Sequence, residues 1–242
     1  MGKRFVTPWG NCYSRPYAIQ RDRHRGTVST GFGVVFMFGK SKLALLLIAF
    51  FLIWPVSLSS SEETPGRMLG GSAKSPIRID VFSDFQCAHC REFFLDTVRK
   101  VLKEYSSKDQ VCVVYHEFPL SYHQYAREAA QYCEAAYRMG VQKLIPVMES
   151  IYVDQADWVE NGKLEDSVAR ALPHEDFLKL KQIMKDPSID QAIDKDIKFG
   201  EKENISATPT LIIKYPGKQN KVEGVVTYLV MKQFIDAVIK QK

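Results

Sequence analysis

Two cysteines three residues apart, Cys87 and Cys90, with His89 between them, are the side chains of this sequence best placed to do chemistry. The stretch Phe82-Ser83-Asp84-Phe85-Gln86-Cys87-Ala88-His89-Cys90 predicts a strand end that runs into an amphipathic helix beginning near Cys87. A sulfur at that position meets unpaired backbone N–H groups and the positive end of the helix dipole, which favour thiolate over thiol. Cys90, one turn on, falls on the same face within disulfide reach. A charge or hydrogen bond from His89 would lower the first cysteine's pKa further. A sulfur of low pKa is a good leaving group, so a Cys87–Cys90 disulfide passes readily to another protein.

Other uses of the pair are weighed by composition. Five cysteines are few for a disulfide scaffold, a zinc ribbon needs a second close pair, and haem attachment needs His where Arg91 stands. The alternative from another class is a copper-binding or delivery module using Cys87, His89 and Cys90, with His116 as a further ligand. Cys112, in an apolar strand, and Cys133, on an apolar helix face, read as buried thiols, against the possibility of a second bridge. His116, His123 and His174 show no ligand spacing and read as surface or capping residues.

The 242-residue chain carries a formal charge of +5, which is unevenly distributed. Residues 1–59 hold eight Lys or Arg against Asp22, a net +7, leaving the remainder at −2, so nucleic acid is not an expected partner. Leu43 to Trp54 is an unbroken apolar run after Lys40 and Lys42. Its length suits a signal-peptide core better than a full span of ~20 residues, with an uncleaved membrane anchor as the alternative. Residues 1–36 form a basic leader, residues 37–59 the export signal, and Met37 is an alternative start. The body is therefore expected outside the cytoplasm, in the periplasm or cell envelope.

Residues 60–76 are rich in Ser, Gly and Pro and read as a linker. From residue 77 to the end, the pattern is α/β. Ile77 to Phe82 and Val111 to Glu117 read as strands, separated by a helix whose apolar positions include Phe93, Phe94, Val98 and Val101. Helical periodicity then fills about residues 121–203: Tyr125 to Arg138, Val141 to Tyr152, Leu164 to Ala171, His174 to Lys185 and Ile189 to Lys202. One crossover needs one helix, so the surplus predicts an inserted helical subdomain. Thr210 to Tyr215 and Lys221 to Val225 read as a hairpin, and Tyr228 to Ile239 as a closing helix.

Four features together resemble the DsbA-like branch of the thioredoxin superfamily. They are the Phe-Ser-Asp-Phe-x-Cys-x-x-Cys run, the Glu117-Phe118-Pro119-Leu120 run, the helical insertion, and Ala207-Thr208-Pro209-Thr210. The resemblance implies a thioredoxin-like fold with a helical insertion between the second strand and the cis-proline strand. It also implies a cis bond before Pro209, with the Thr208 backbone free to pair with an extended substrate. The activity implied is thiol-disulfide exchange with cysteine-containing client proteins as an oxidase, with Cys87 as nucleophile and Cys90 as resolving thiol; a disulfide reductase for a specific client is the alternative. No cofactor beyond that disulfide and no metal is implied, and a membrane redox partner is. Two positions depart from the family pattern. Ala88 replaces the usual Pro, and Val81 stands where a buried acid is often found six residues before the first cysteine, so proton handling passes to His89, Asp84 or water.

Overall fold

A computed structural model describes residues 66–240. The two leader segments, and with them the apolar run Leu43 to Trp54 and the possible start at Met37, lie outside the described residues. Among the described residues, no helix is long and apolar enough to cross a membrane.

A five-stranded sheet carries the site, in the order β1-β3-β2-β4-β5. Its strands are β1 (Arg67–Gly70), β2 (Ile77–Ser83), β3 (Val111–Glu117), β4 (Thr210–Tyr215) and β5 (Lys218–Glu223). Only β2 and β3 are parallel, in a register that sets Ser83 opposite Glu117. β4 lies antiparallel to β2, with Phe82 opposite Thr210. The end of β2, where the cysteine loop leaves, thus adjoins the start of β4, where the Pro209 loop arrives.

β1 corrects the reading of residues 60–76 as a linker. Arg67–Gly70 pairs antiparallel with β3 and buries Arg67 and Leu69. Four residues are too few to show an alternating pattern, and the Ser and Gly around them hide it. Just beyond β1, Gly71 has φ +80°, and a Cβ there would stand 2.2 Å from the Val111 carbonyl oxygen. Only glycine lets the chain leave the sheet edge at that point. β5 also begins earlier than expected: Tyr215 pairs with Lys218 across the two-residue turn Pro216-Gly217. Its residues Lys-Gln-Asn-Lys-Val-Glu are almost wholly exposed, so no apolar alternation marks it.

Alternation places Val81 and Phe82 on opposite faces of the sheet. Ile79, Val81, Phe85 and Tyr115 join the larger core, and Phe82 packs with Phe118, Ile205 and Ile212 in a smaller one. Helix α1 (Ala88–Phe93) follows the cysteine loop and continues through a π-helical turn, Phe94–Val98, into α2 (Arg99–Glu104). The widened turn lies where consecutive Phe93 and Phe94 are both buried, and such bulges often occur beside functional sites.

The insertion comprises α3 (Ala126–Arg138), α4 (Val141–Val153), α5 (Gln155–Asn161), α6 (Leu164–Ala171), α7 (His174–Ile183) and α8 (Ser188–Lys202). α5 is not among the expected helices; it is anchored by Trp158, which is buried and donates to the Ile151 carbonyl at 2.7 Å. The closing helix α9 (Tyr228–Lys240) buries Met231 and Ile235 against the larger core.

Candidate active site

Cys87 is the N-cap of α1, and its carbonyl accepts the first helical bond, from Arg91 N–H at 3.1 Å. Its sulfur is partly exposed, whereas Cys90, one turn on, is fully buried; both are free thiols. The Thr208–Pro209 peptide is cis, and Cys87 Sγ donates to the Thr208 carbonyl oxygen at 3.4 Å. Cys87, Cys90, Thr208 and Pro209 therefore meet at one end of the sheet, although 121 positions separate Cys87 from Thr208.

The two sulfurs differ sharply in acidity. The Cys87 thiol is lowered to about 5, chiefly by a hydrogen bond from the Cys90 thiol, which outweighs the cost of burial. Backbone N–H groups of Cys90 and His89 also favour the thiolate, as does the nearby Thr208 hydroxyl, a buried oxygen that makes no hydrogen bond of its own. Burial and the neighbouring Cys87 push Cys90 well above its ordinary value. The opposed shifts leave the accessible sulfur ionised and the covered one protonated at neutral pH.

His89 acts here through its main chain. Its side chain is exposed, and the effect on Cys87 comes from its backbone N–H. Asp84, one of the groups expected to handle protons, also has a positioning role. The carboxylate is buried and already occupied: Oδ1 accepts from Gln86 N–H at 2.7 Å, while Oδ2 accepts from Leu120 N–H at 2.7 Å and pairs with His123 Nδ1 at 2.8 Å. It ties the cysteine loop to the loop after β3. Its own N–H points at Cys90 Sγ from 3.5 Å.

Two histidine readings are corrected. His123 sits beside the site as a partner of Asp84. His116 is neither a surface residue nor a copper ligand: it is fully buried on the Phe82 face, with Nε2 3.0 Å from Asp80 and Nδ1 3.3 Å from Asp196. Both ring nitrogens are engaged, so it has none to offer Cys87 and Cys90. Among the described residues no cluster of three or more His, Cys, Asp or Glu is arranged to hold a metal ion. Cys112 and Cys133 are separate buried thiols.

A family model described as Thioredoxin matches residues 63–237. The chain belongs to the thioredoxin family. It is 23% identical over 193 residues to the Bacillus subtilis protein named Disulfide bond formation protein D, covering 77% of this chain and 83% of that one. Among solved structures, Wolbachia pipientis alpha-DsbA1 superposes with a TM-score of 0.59 at 17% identity, covering 79% of this chain and 96% of that one. The Wolbachia pipientis thiol-disulfide exchange protein alpha-DsbA2 gives 0.59 at 18% identity, covering 71% and 86%. These likenesses agree with the α/β thioredoxin-like fold read from the sequence.

Within this thioredoxin-family frame, several residues near the cysteines escape sequence reasoning. Gln155, at the start of α5, donates through Nε2 to the carbonyls of Phe85, at 2.6 Å, and Cys87, at 3.1 Å. Arg91 Nε donates to the Tyr152 carbonyl at 2.8 Å. The insertion therefore braces the cysteine loop from above. Beneath the loop, the Tyr152 hydroxyl lies 3.0 Å from Ser83 Oγ and 2.6 Å from the Tyr115 hydroxyl. The Tyr152 ring packs as its place in a helix period suggests, but its hydroxyl joins the polar group beside Cys90. Periodicity reveals which side a residue faces and not which polar atom it reaches, so these bonds leave no signal.

Proposed function

We propose that the chain is an exported protein thiol-disulfide oxidoreductase that exchanges a Cys87–Cys90 disulfide with cysteines of client proteins, acting as an oxidase. The observation that carries this reading is the asymmetry of the two sulfurs. Cys87, accessible and lowered to about 5, is the sulfur a client attacks and a good leaving group; Cys90 is buried and held protonated. A reduced form stabilised as a thiolate makes the corresponding disulfide oxidising, which favours donation of disulfides over their reduction. The name of the Bacillus subtilis relative, Disulfide bond formation protein D, supports the same direction.

In this mechanism a client thiolate attacks Cys87 Sγ and displaces Cys90. A second client thiolate then attacks the client sulfur of the mixed disulfide and releases Cys87 as a stable thiolate. Thr208 and Pro209 line the approach, the Thr208 main chain pairing with the extended client. No cofactor beyond the disulfide is required, and a redox partner in the membrane restores it. Export rests on the apolar run Leu43 to Trp54 behind Lys40 and Lys42.

Equilibration with glutathione buffers and trapping with Cys90→Ala test the reading. The expected midpoint is more oxidising than roughly −200 mV, with mixed disulfides to protein clients through Cys87. A midpoint near the roughly −270 mV of a thioredoxin-type reductant would reverse the direction, and absence of any trapped client would end the assignment.

A further inference from the structure

Breaking the Cys87–Cys90 bond leaves Cys90 as a thiolate in a place that disfavours charge: it is fully buried, and its thiol is held well above its ordinary value. It must gain a proton as it leaves. The residues expected to handle protons are poorly placed for this, since His89 points to solvent and the Asp84 carboxylate is committed to Gln86, Leu120 and His123.

On the covered side of Cys90 lies a chain of hydroxyls. Ser83 favours the Cys90 thiolate, its Oγ is 3.0 Å from the Tyr152 hydroxyl, and that is 2.6 Å from the Tyr115 hydroxyl. Glu117 is the acid beside this chain. It is the register partner of Ser83 and lies two residues beyond Tyr115 on β3, so all three share a face of the sheet. Its side chain is 1% exposed, and Oε1 carries no hydrogen bond. A buried carboxyl oxygen without a partner is costly, and its retention calls for an explanation.

We propose that Glu117 is the proton reservoir for Cys90, delivering through Ser83 with the Tyr152–Tyr115 pair polarised behind it. The inference rests on the thiol-disulfide reading above. A client thiolate forms a bond to Cys87 Sγ, the Cys87–Cys90 bond breaks, and its electron pair leaves on Cys90. Ser83 passes a proton to Cys90 and takes one from the Glu117 carboxyl. Glu117 is left as a carboxylate facing Arg67, whose Nε is 4.0 Å from Oε1, and later regains a proton from solvent.

The surroundings suit a donor that is neutral at rest. Burial holds the Glu117 carboxyl protonated well above its ordinary range, and the nearby charges of Asp196 from α8, Glu134 from α3 and Asp84 reinforce this against Arg67. Cys133 on α3 also faces Glu117 and Arg67 and is itself kept protonated by burial. Both phenols of the chain feel Cys90 and Glu117 together.

The test reacts the disulfide form with glutathione in a single turnover and counts Cys90 thiols by acid quench and alkylation. Glu117→Gln is expected to slow that step by at least about tenfold at neutral pH and to flatten its pH profile, while the Cys87 pKa stays at its wild-type value. Ser83→Ala is expected to give the same slowing. Equal rates and pH profiles for wild type and Glu117→Gln would overturn the proposal, as would a Cys87 pKa that moves with the rate. Should Glu117→Gln fail to fold, Ser83→Ala decides: slowing supports the relay and an unchanged rate overturns it. A wild-type disulfide inert to glutathione would instead defeat the oxidoreductase reading on which the relay depends.

Discussion

At the residue scale, Cys87 and Cys90 are the same side chain in two environments one helical turn apart. One has backbone N–H groups, a neighbouring thiol and Thr208 around it; the other is covered on all sides. Iodoacetamide should therefore modify Cys87 of the reduced protein with a pH midpoint near 5, leaving Cys90 unmodified in the native state, as peptide mass analysis would show. A Cys87 midpoint in the ordinary thiol range would mean that the surrounding donors do not act together. The pair itself is plain from its spacing, because C-x-x-C at a helix start sets both sulfurs on one face. The role of His89 is not, since spacing does not distinguish a backbone donor from an imidazole. Ser83, Tyr152 and Gln155 are invisible for a related reason: each reaches the site through a polar atom on a side chain whose position is fixed by packing elsewhere.

At the element scale, the site depends on how closely α8 approaches the smaller core. Gly200 permits that approach: a Cβ there would lie 2.5 Å from Phe118 Cε2, and Phe118 is held against Phe82 and Ile205. Gly200→Ala should destabilise the fold by about 1–3 kcal/mol through overpacking, measurable as a lower denaturant midpoint with an unchanged slope. A gain in stability would show that the ring moves aside freely. The central strands and the long helices of the insertion are legible because burial imposes a period on their apolar residues. β1 and α5 are not, being respectively too short and fixed by one tryptophan, and β5, too polar to show a period, is legible as a hairpin arm but not in its true start.

Across the whole molecule, charges are buried where β1, β2, β3, α3 and α8 meet. Arg67 bonds to Asp196 and to Glu134, whose other oxygen takes Arg138, while His116 lies between Asp196 and Asp80. Burial opposes the charged forms, but the partners prevail: Asp196 and Asp80 raise His116 above its ordinary 6.5, and His116 with Arg78 holds Asp80 below its ordinary 3.8. The His116 contribution to stability is complete below pH 6.5 and is lost as pH rises through its folded value. The Asp80 contribution is present above pH 3.8 and is lost as pH falls through its folded value. Glu117, raised by burial above its ordinary 4.5, adds a loss of the same sign as that from His116 once pH exceeds 4.5. Urea unfolding of the disulfide form, in which Cys87 has no thiol to titrate and so adds no opposing rise, should thus show stability declining from pH 6.5 upward, and His116→Gln should leave a shallower decline. A wild-type profile flat across that range would refute the linkage. None of this network is legible from the order of residues, because its members come from five elements and carry no common period.

The outer strand of the sheet bears on how the molecule avoids its own kind. β5 offers the row Lys-Gln-Asn-Lys-Val-Glu, nearly all of it in solvent, with Lys218 and Lys221 among its side chains. Charged, hydrophilic borders of this sort discourage a stray extended chain from zipping onto a sheet and seeding fibrous aggregates. For a protein whose proposed clients are still folding, that rim would leave sulfur exchange as the favoured way for such chains to become attached.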